Sequence, residues 1–377
     1  APRPFDWGST TLIAELEGRA PAGPEAEVWF GDHPADPSDV GDGSGRTLDE
    51  WMHQEDVAVG GTGRLPYLLK ILAAGQSLSI QAHPTKHQAE EGFAAERDLP
   101  SGAPRNYIDD NHKPEMIVAL SDEFVALCGL RDVADTRRLL AELGAAAAPL
   151  AERIRDDETL GDAVGWLLSG DAQEHVDAII AALASASSAD FAADVENARR
   201  NAEAFPGDPG VVVGLLMNLV TLARGEALFL RAGQLHAYQS GLGIEIMAAS
   251  DNVLRGGLTP KHIDVAELMR VLERRSGAVP LVEPVAARGA DGLVEYPVDV
   301  SDFQLLSGSV EPGRDASFAP TGPAIVLCTR GAVRVEAGGD AEELVPGRAA
   351  FAVRVEGDVA VSGDGEVFVA QPGARGR

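Results

Sequence analysis

The chain contains little cysteine and no long apolar segment. Its two cysteines among 377 residues, Cys128 and Cys328, lie far apart in apolar surroundings, so a disulfide framework is not expected. It has no apolar run of about 18 residues, and no basic segment followed by an apolar one near its N-terminus, which argues against a membrane span and a signal peptide. We therefore expect a cytoplasmic protein with reduced cysteines in its core, and we expect it to be a monomer.

Basic residues are also scarce, and lysine is the scarcest of them. The chain has 31 basic and 59 acidic residues, which gives a formal net charge of −28 at pH 7. A surface of this kind releases few counterions from nucleic acid and is repelled by anionic membranes, so we expect neither partner. Only four of the basic residues are lysines, Lys70, Lys86, Lys113 and Lys261. A compact ammonium serves as a point charge on phosphate or as a proton carrier, which indicates a site for a small anionic molecule near these positions.

The texture of the sequence divides the chain into three kinds of segment. Residues 1–120 and 209–285 contain short alternating strands bounded by glycine, which predicts one β domain. Residues 121–208 are rich in Ala, Leu, Arg and Glu, with apolar residues three and four apart, which predicts an all-helical insertion. Residues 286–377 alternate again between short strands and turns, which predicts a second antiparallel barrel or sandwich. No histidine follows His262, so we expect no metal site in this last domain.

Individual elements follow from the same patterns. The alternation of apolar residues predicts strands at residues 27–30, 66–72, 78–83, 116–120, 219–222 and 227–230. The helical spacing predicts helices near residues 132–143, 147–155, 158–168, 171–184, 188–204 and 265–273. The proline–glycine segment 206–210 is expected to end the helical insertion.

Two distant segments each combine a glycine turn, an alternating strand and a metal-binding side chain at the far end. The first contains Gln81 and His83, which lie two apart and so share one face of a strand. The second ends in His236, and Glu115 between the two segments offers a carboxylate. Nitrogen and oxygen ligands with an open position are typical of catalytic metal sites, although they do not choose among zinc, manganese, iron and cobalt. We predict a metal centre formed by these four residues.

A second group of residues suits an anionic substrate. Lys70 interrupts an apolar run, and because a buried unpaired ammonium is costly, we expect it to reach solvent or to face a ligand cavity. Ser79 shares a strand face with Gln81. Arg255 opens a loop with two glycines, expected to be flexible and to let the backbone approach a ligand, and Lys261 follows it. The alternatives are a surface ion pair for Arg255 and a solvated charge for Lys261.

Several strings of residues resemble type I mannose-6-phosphate isomerases (phosphomannose isomerases), a family of the cupin superfamily. They are Gln81-Ala-His83-Pro, residues 106–115, residues 235–238 and residues 243–261, and the resemblance extends from the N-terminus to about residue 275. The remaining C-terminal residues are similar only in texture. The resemblance implies a mainly β protein with two cupin-like jelly-roll β-barrel domains and an all-α helical insertion domain.

The resemblance also implies an activity, a cofactor and roles for site residues. It implies a zinc enzyme that interconverts mannose 6-phosphate and fructose 6-phosphate through a cis-enediol, with one Zn²⁺ per chain. Zinc would bind Gln81, His83, Glu115 and His236. The catalytic positions would be Arg255, Lys113 and Glu245, and the positions for substrate and its phosphate would be Lys70, Ser79 and Lys261.

Several alternatives stay open at this stage. The proton-transferring base is one of Glu245, Lys113, His112 and Asp251, because each lies within the motifs and can carry a proton. An iron-dependent cupin oxygenase would use a similar set of His and Glu ligands. A non-catalytic cupin that binds a phosphosugar would explain the cations but not an open metal position.

Overall fold

The computed structural model describes residues 1–57, 63–100, 102–353 and 355–373, and this part of the chain is mainly β. Its strands are β1 Glu27–Phe30, β2 Tyr67–Ala74, β3 Gln81–Ala82, β4 Glu115–Ala119, β5 Phe124–Leu130, β6 Met217–Leu222, β7 Ala227–Leu230, β8 His236–Ala248, β9 Leu254–Arg255, β10 Leu281–Val282, β11 Val285–Ala286, β12 Ala290–Asp291, β13 Val294–Glu295, β14 Gln304–Val310, β15 Ala316–Phe318, β16 Ala324–Ala337, β17 Asp340–Leu344, β18 Ala349–Ala352 and β19 Val359–Gln371. They form two antiparallel sheets, β1 to β10 and β11 to β19.

The first sheet curls because its central strand takes part in two layers. The order β1-β2-β8-β4-β7-β10 forms one layer, while β3, β5, β6 and β9 pair off this path. The first half of β8 pairs with β3 and β5, and its second half pairs with β2 and β4. The sheet is therefore a half-barrel whose concave side is lined from several strands.

Alternation along the strands separates an apolar face from a face that carries charge. Ile71 and Ile246 leave the convex face and pack in one cluster with Phe368 of the second sheet. Lys70 and Glu245, one position away on the same strands, leave the opposite face because successive strand residues point to opposite sides. The core between the two sheets thus fixes the orientation of the charged residues on the concave side.

The second sheet is centred on its two longest strands. Strands β16 and β19 pair along most of their length, with one irregularity in register between Cys328 and Arg330. Val326, Val361 and Val367 are fully buried on the interior side of these strands. Cys128 of the first sheet and Cys328 of the second are both free and buried.

Ten α-helices complete the described part of the chain. They are α1 Leu12–Leu16, α2 Leu48–Gln54, α3 Lys86–Glu96, α4 Val133–Glu142, α5 Ala148–Arg153, α6 Asp157–Leu168, α7 Gln173–Leu183, α8 Ala192–Ala204, α9 Gly210–Leu215 and α10 Val265–Val271, with a 3₁₀ turn at Gly144–Ala146. Polar caps begin several of them: the Thr85 side chain accepts a hydrogen bond from Gln88 N at α3, and Asp132 accepts from Ala134 N at α4. None of the helices in the described residues is long and apolar enough to cross a membrane.

Helices α4 to α9 run consecutively between β5 and β6. Leu139, Val164 and Ile179 from these helices pack in one cluster with Leu127 and Ala237 of the first sheet. Helices α4 to α8 and α10 lie where the spacing of apolar residues predicts them. The helical layer is therefore continuous with the sheet that carries the candidate site.

Three predicted boundaries differ from the structure. Helical texture is predicted from residue 121, but Phe124–Leu130 forms strand β5, because its alternation of buried residues pairs it with β6 and β8. The strand predicted at residues 78–83 is reduced to Gln81–Ala82, and the segment before it is held by single hydrogen bonds. Segment 206–210 does not end the helices, since α9 begins at its last residue, Gly210.

Candidate active site

Three buried side chains meet on the concave side of the first sheet. His83 follows β3, Glu115 begins β4, His236 begins β8, and all three are 1–2% exposed. His83 Nε2 lies 3.2 Å from Glu115 Oε1, and His236 Nε2 lies 3.3 Å from Glu115 Oε2. One ligand atom from each residue lies within 4.8 Å of the other two. This spacing can hold a metal ion between two imidazoles and a carboxylate.

The unpaired atoms of this trio test whether a metal fits. His83 Nε2, His236 Nε2 and Glu115 Oε2 are buried and have no hydrogen-bond partner among the described residues. Leaving a buried polar atom unpaired costs roughly 1–3 kcal/mol. Three such atoms converging on one point are relieved together by a single cation, so the residues present fit a divalent metal.

Both imidazoles are held in the form that a metal requires. His83 Nδ1 lies 2.7 Å from the Asn252 carbonyl oxygen, and His236 Nδ1 lies 3.0 Å from the Gln234 carbonyl oxygen. Because a carbonyl can only accept, Nδ1 of each ring carries the proton and leaves the Nε2 lone pair free. Burial lowers the pKa of His83 to about 4, so the ring is neutral near pH 7.

Gln81 is placed beside this group by strand register. It lies directly opposite His236 of β8 on one side and Arg255 of β9 on the other. Directly opposite residues of antiparallel strands project from the same face. Gln81 and Arg255 therefore leave the face that carries His236, and the amide of Gln81 can complete a set of nitrogen and oxygen donors without thiolate.

A lysine stands next to the carboxylate of the trio. Lys113 Nζ lies 3.1 Å from Glu115 Oε1. Burial alone would raise the pKa of the Glu115 carboxyl, but the charge of Lys113 holds this pKa well below its usual value. Glu115 is therefore ionised, as a metal ligand must be.

Lys70 is buried between two carboxylates. Lys70 Nζ lies 2.9 Å from Glu245 Oε2 and 3.5 Å from Glu27 Oε1. Although burial disfavours its charged form, the carboxylates of Glu245 and Glu27 raise the pKa of Lys70 above its ordinary value. Burial also raises the pKa of Glu245, and the neighbouring charges of Glu115 and Glu27 act in the same direction. The anion that Lys70 faces is thus supplied by the protein itself.

A cavity of about 280 Å³ opens next to these groups. Its lining residues are Phe5, Trp7, Glu27, Trp29, Leu68, Lys70, Lys113, Met247, Asp251, Val253, Arg255 and Lys261. The four cations and three aromatic rings among these residues suit a small polar anion with a ring or chain of carbon atoms. The volume is close to the lower end for ligand pockets, roughly 300 Å³. The Lys113 contact with Glu115 connects this cavity to the metal-binding trio.

Some predicted site residues lie outside the cavity lining. Ser79 is half-buried and is not among the lining residues, while its neighbour Ile80 is fully buried in the apolar cluster that includes the helices. Glu245 is 3% exposed and lies behind Lys70. His112 Nε2 instead lies 3.0 Å from Asp302 Oδ2, in the segment between β13 and β14 of the second sheet.

The loop after Arg255 is held more tightly than its glycines predict. Gly256 N donates to Ile80 O at 2.7 Å, and Ile80 N donates to Gly257 O at 3.0 Å. Gly256 and Gly257 therefore approach the backbone of Ile80 closely, and the backbone they meet is that of the protein and not a ligand. The prediction of a flexible loop is wrong for these two residues.

Other residues that the sequence left unassigned contribute to the site. Glu27 accepts a hydrogen bond from the indole nitrogen of Trp29 at 2.9 Å and contacts Lys70. Asn252 is fully buried, and its side-chain oxygen accepts from Ile108 N at 2.8 Å, while its carbonyl orients His83. The sequence did offer one signal for Glu27, because it is a carboxylate within the otherwise apolar strand at residues 27–30. Nothing in the sequence indicates the role of Asn252.

Among the four candidates for the base, the structure separates two pairs. Asp251 and Lys113 line the cavity, whereas Glu245 and His112 do not. Contact with His33, whose Nε2 lies 3.3 Å from Asp251 Oδ1, lowers the pKa of Asp251.

Comparison with known proteins is consistent with this site. The family model of the type I phosphomannose isomerase catalytic domain matches residues 3–133. The mannose-6-phosphate isomerase of Escherichia coli K12 is 35% identical over 380 residues, covering 96% of either chain, and that of Emericella nidulans is 33% identical, covering 87% of this chain and 82% of the relative.

Solved structures agree with these relatives over nearly the whole chain. A zinc-bound mannose 6-phosphate isomerase superposes with a TM-score of 0.88 at 33% identity, covering 99% of this chain and 98% of that one. An alanine mutant of the Salmonella typhimurium phosphomannose isomerase gives a TM-score of 0.89 at 32% identity with the same coverage. Sequence, fold and the buried His–Glu–His group thus agree, and the chain belongs to the type I mannose-6-phosphate isomerase family.

Proposed function

We propose that the protein is a zinc-dependent aldose–ketose isomerase that interconverts D-mannose 6-phosphate and D-fructose 6-phosphate through a cis-enediol. The observation that carries this proposal is the buried trio of His83, Glu115 and His236, whose unpaired atoms converge beside a cavity lined by four cations. A metal-binding group and an anion-binding wall in one cavity suit an enzyme that ionises a carbon acid in a sugar phosphate.

Zinc would be held by Gln81, His83, Glu115 and His236, one ion per chain, and would supply Lewis-acid stabilisation of negative charge on a substrate oxygen. Arg255 is placed to assist, because it lies opposite Gln81 in the ladder and lines the cavity. A guanidinium aimed at the oxygen where charge develops lowers the barrier without rearranging during the reaction.

The phosphate would bind where cations lack a protein partner. Within the described residues, neither Arg255 nor Lys261 makes an ion pair, whereas Lys70 and Lys113 each contact a carboxylate. Lys261 is exposed at the cavity wall and is therefore free to meet a phosphate dianion. Lys70 would bind a sugar hydroxyl or phosphate oxygen while shared with Glu245, whereas Ser79, which is not among the lining residues, would not reach the substrate.

Proton transfer between C1 and C2 needs a base that can touch the substrate. Asp251 and Lys113 line the cavity, so we propose that one of them moves the proton. Glu245 would instead keep Lys70 charged, since its carboxylate lies 2.9 Å from the ammonium. Incorporation of solvent deuterium into the product during turnover by Asp251→Asn and Lys113→Met identifies the base: its variant loses exchange together with turnover.

The test of the function compares two histidine variants. His83→Ala removes one metal ligand, while His87→Ala removes a histidine whose side chain is 79% exposed and is a matched control. We expect the His83 variant to lose at least about 10³-fold in mannose 6-phosphate turnover and the control to keep it. Equal activity of the two variants, or a wild type without turnover, would reject the proposal.

The alternatives predict other outcomes. A cupin oxygenase would hold iron and consume oxygen with a substrate that need not be phosphorylated. A phosphosugar-binding protein would bind mannose 6-phosphate and release it unchanged. Product analysis of the wild type separates both from an isomerase.

We infer in addition that the two sheets are cupin-like jelly rolls and that the helices are an insertion in the first one. The domains would be 1–120 with 209–285, 121–208 and 286–377, with β5 moved to the first of them. Strands β8, β16 and β19, each of which pairs with different neighbours along its two halves, support this division. A cytoplasmic monomer is part of the same proposal, and sedimentation equilibrium tests the monomeric state.

A further inference from the structure

Segment 206–210, a proline–glycine stretch far from the motifs, contacts the loop that carries two of the cavity cations. The Asp208 carboxylate accepts three backbone hydrogen bonds. Its Oδ1 accepts from Gly210 N at 2.7 Å and from Leu258 N at 3.0 Å, and its Oδ2 accepts from Thr259 N at 3.1 Å. Hydrogen bonds to an ionised acceptor are roughly twice as strong as neutral ones, so this carboxylate fixes the backbone at residues 258 and 259.

Close packing of the two segments makes this contact specific. Gly257 has φ of +121°, and a Cβ atom there would lie 2.4 Å from Gly210 Cα. A Cβ atom on Gly210 would in turn lie 2.4 Å from Leu258 N. Leu258 itself has φ of +53°, a left-handed conformation that costs a non-glycine residue about 1–2 kcal/mol. Such a conformation persists only where the surroundings determine it, and here Asp208 supplies a charged anchor on each side of the peptide.

The two cations of this loop are held in different ways. Arg255 belongs to β9 and is fixed by its pairing with Gln81. Lys261 lies beyond the anchored residues, and its backbone nitrogen donates to Thr259 Oγ1 at 3.2 Å. The position of Lys261 at the cavity wall therefore depends on Thr259, and the position of Thr259 depends on Asp208.

We propose that Asp208 is a positioning residue that holds Lys261 at the phosphate end of the cavity. This inference rests on the proposed function, in which Lys261 meets the substrate phosphate. It assigns to segment 206–210 a role in substrate binding, although Asp208 does not line the cavity itself. Because Arg255 is held independently, loss of Asp208 is expected to weaken substrate binding and to leave the chemical step almost unchanged.

The experiment compares two variants of Asp208 with a control at Asp132. Asp208→Ala removes all three hydrogen bonds, whereas Asp208→Asn can keep the two at Oδ1 and replaces the acceptor for Thr259 N by an amino group. Asp132 is the matched control, because its side chain also accepts two backbone hydrogen bonds, from Ala134 N at 2.8 Å and Asp135 N at 3.2 Å, and caps a helix outside the cavity. The readouts are KM and kcat for mannose 6-phosphate, the affinity for inorganic phosphate by calorimetry, and the melting temperature.

We expect Asp208→Ala to raise KM and the dissociation constant for phosphate about tenfold, with kcat within about threefold of the wild type. Asp208→Asn should give a smaller increase of about threefold, because one of three bonds is lost. Asp132→Ala should lower the melting temperature only. In the double variant Asp208→Ala with Lys261→Ala, KM should equal that of Lys261→Ala alone, because the two changes remove the same interaction with the phosphate.

Other results would overturn the inference. If Asp208→Ala lowers the melting temperature as the control does but leaves KM and the phosphate affinity unchanged, Asp208 has a purely structural role. Independent, multiplicative effects in the double variant would show that Asp208 does not act through Lys261. A wild type that binds phosphate but does not turn over mannose 6-phosphate rejects the isomerase and leaves the phosphate measurements as the test of Asp208. A wild type that binds no phosphate overturns the role of Asp208 as well.

Discussion

Replacing Lys70 by methionine removes an ammonium from between two buried carboxylates. Lys70 Nζ lies 2.9 Å from Glu245 Oε2 and 3.5 Å from Glu27 Oε1, and the three side chains are 8%, 4% and 9% exposed. Methionine keeps most of the side-chain length and leaves two negative charges without their cation. Removal of one partner from a buried ion pair costs about 3–5 kcal/mol, so we expect this loss in the free energy of unfolding at neutral pH.

The pH dependence of this loss distinguishes charge from packing. Burial already raises the pKa of Glu245 in the presence of Lys70, and removal of the ammonium raises it further. The pKa of Glu245 is then higher in the folded variant than in the unfolded chain. At pH values between these two pKa values the folded variant binds more protons, so its stability increases as the pH falls. The deficit of Lys70→Met relative to the wild type should therefore be largest at about pH 8 and shrink towards about pH 5.

Denaturant unfolding of both proteins across this range measures the deficit. Lys86→Met is the matched control, because the Lys86 side chain is 46% exposed and its ion pairs within the described part of the chain are with Glu90 and Asp110 at the surface. Such surface pairs contribute at most about 1 kcal/mol, so the control should lose little stability at any pH. A Lys70→Met deficit that stays constant from about pH 5 to pH 8 would refute the electrostatic reasoning.

Three further predictions concern single positions. Burial lowers the pKa of His83 from 6.5 to about 4, so at pH values between these two the unfolded metal-free chain binds more protons than the folded one. Acidification through this range should therefore remove about 3 kcal/mol from the free energy of unfolding. Denaturant titration of the metal-free protein, compared with His83→Asn, measures this loss. Lys261→Ala should raise KM for mannose 6-phosphate about tenfold, and KM should depend less on salt, because a cation that faces the phosphate is lost. Gly257→Ala should destabilise by about 3 kcal/mol in thermal unfolding, since its Cβ would lie 2.4 Å from Gly210 Cα.

Each of these has an outcome that would contradict it. Identical acid profiles of metal-free wild type and His83→Asn would mean that His83 does not stay neutral on folding. An unchanged KM in Lys261→Ala would remove this residue from the phosphate site. A Gly257→Ala protein as stable as the wild type would mean that the two backbones do not meet as closely as described.

His83, Glu115 and His236, whose side chains converge, could be predicted because each lies in a short segment with a local pattern of its own. Gln81 and His83 share a short segment, and a glycine, Gly75 or Gly225, stands at the start of each of the two segments that end in His83 and His236. Membership of the mannose-6-phosphate isomerase family is likewise contained in continuous strings of residues. Local patterns of this kind can be recognised without knowledge of how the strands pair.

Long-range pairing could not be predicted. Glu27 meets Lys70 across 43 positions because β1 and β2 pair in one particular register, which no local pattern encodes. Ser79 was expected beside Gln81, but the strand is shorter than the alternation predicts. Strand β5 was hidden because its apolar residues lead directly into a helical region. Asp208 lies in a segment that looks like a boundary, and its partners lie 50 and 51 residues further along the chain.

The isomerase activity of chelated protein is the most direct test of the central claim, that His83, Glu115 and His236 hold a metal on which the reaction depends. Mannose 6-phosphate turnover is measured in a coupled assay before chelation, after removal of the metal, and after return of one equivalent of zinc. The account predicts loss of activity on chelation and recovery at about one zinc per chain. Full turnover by protein shown to be free of metal would contradict it.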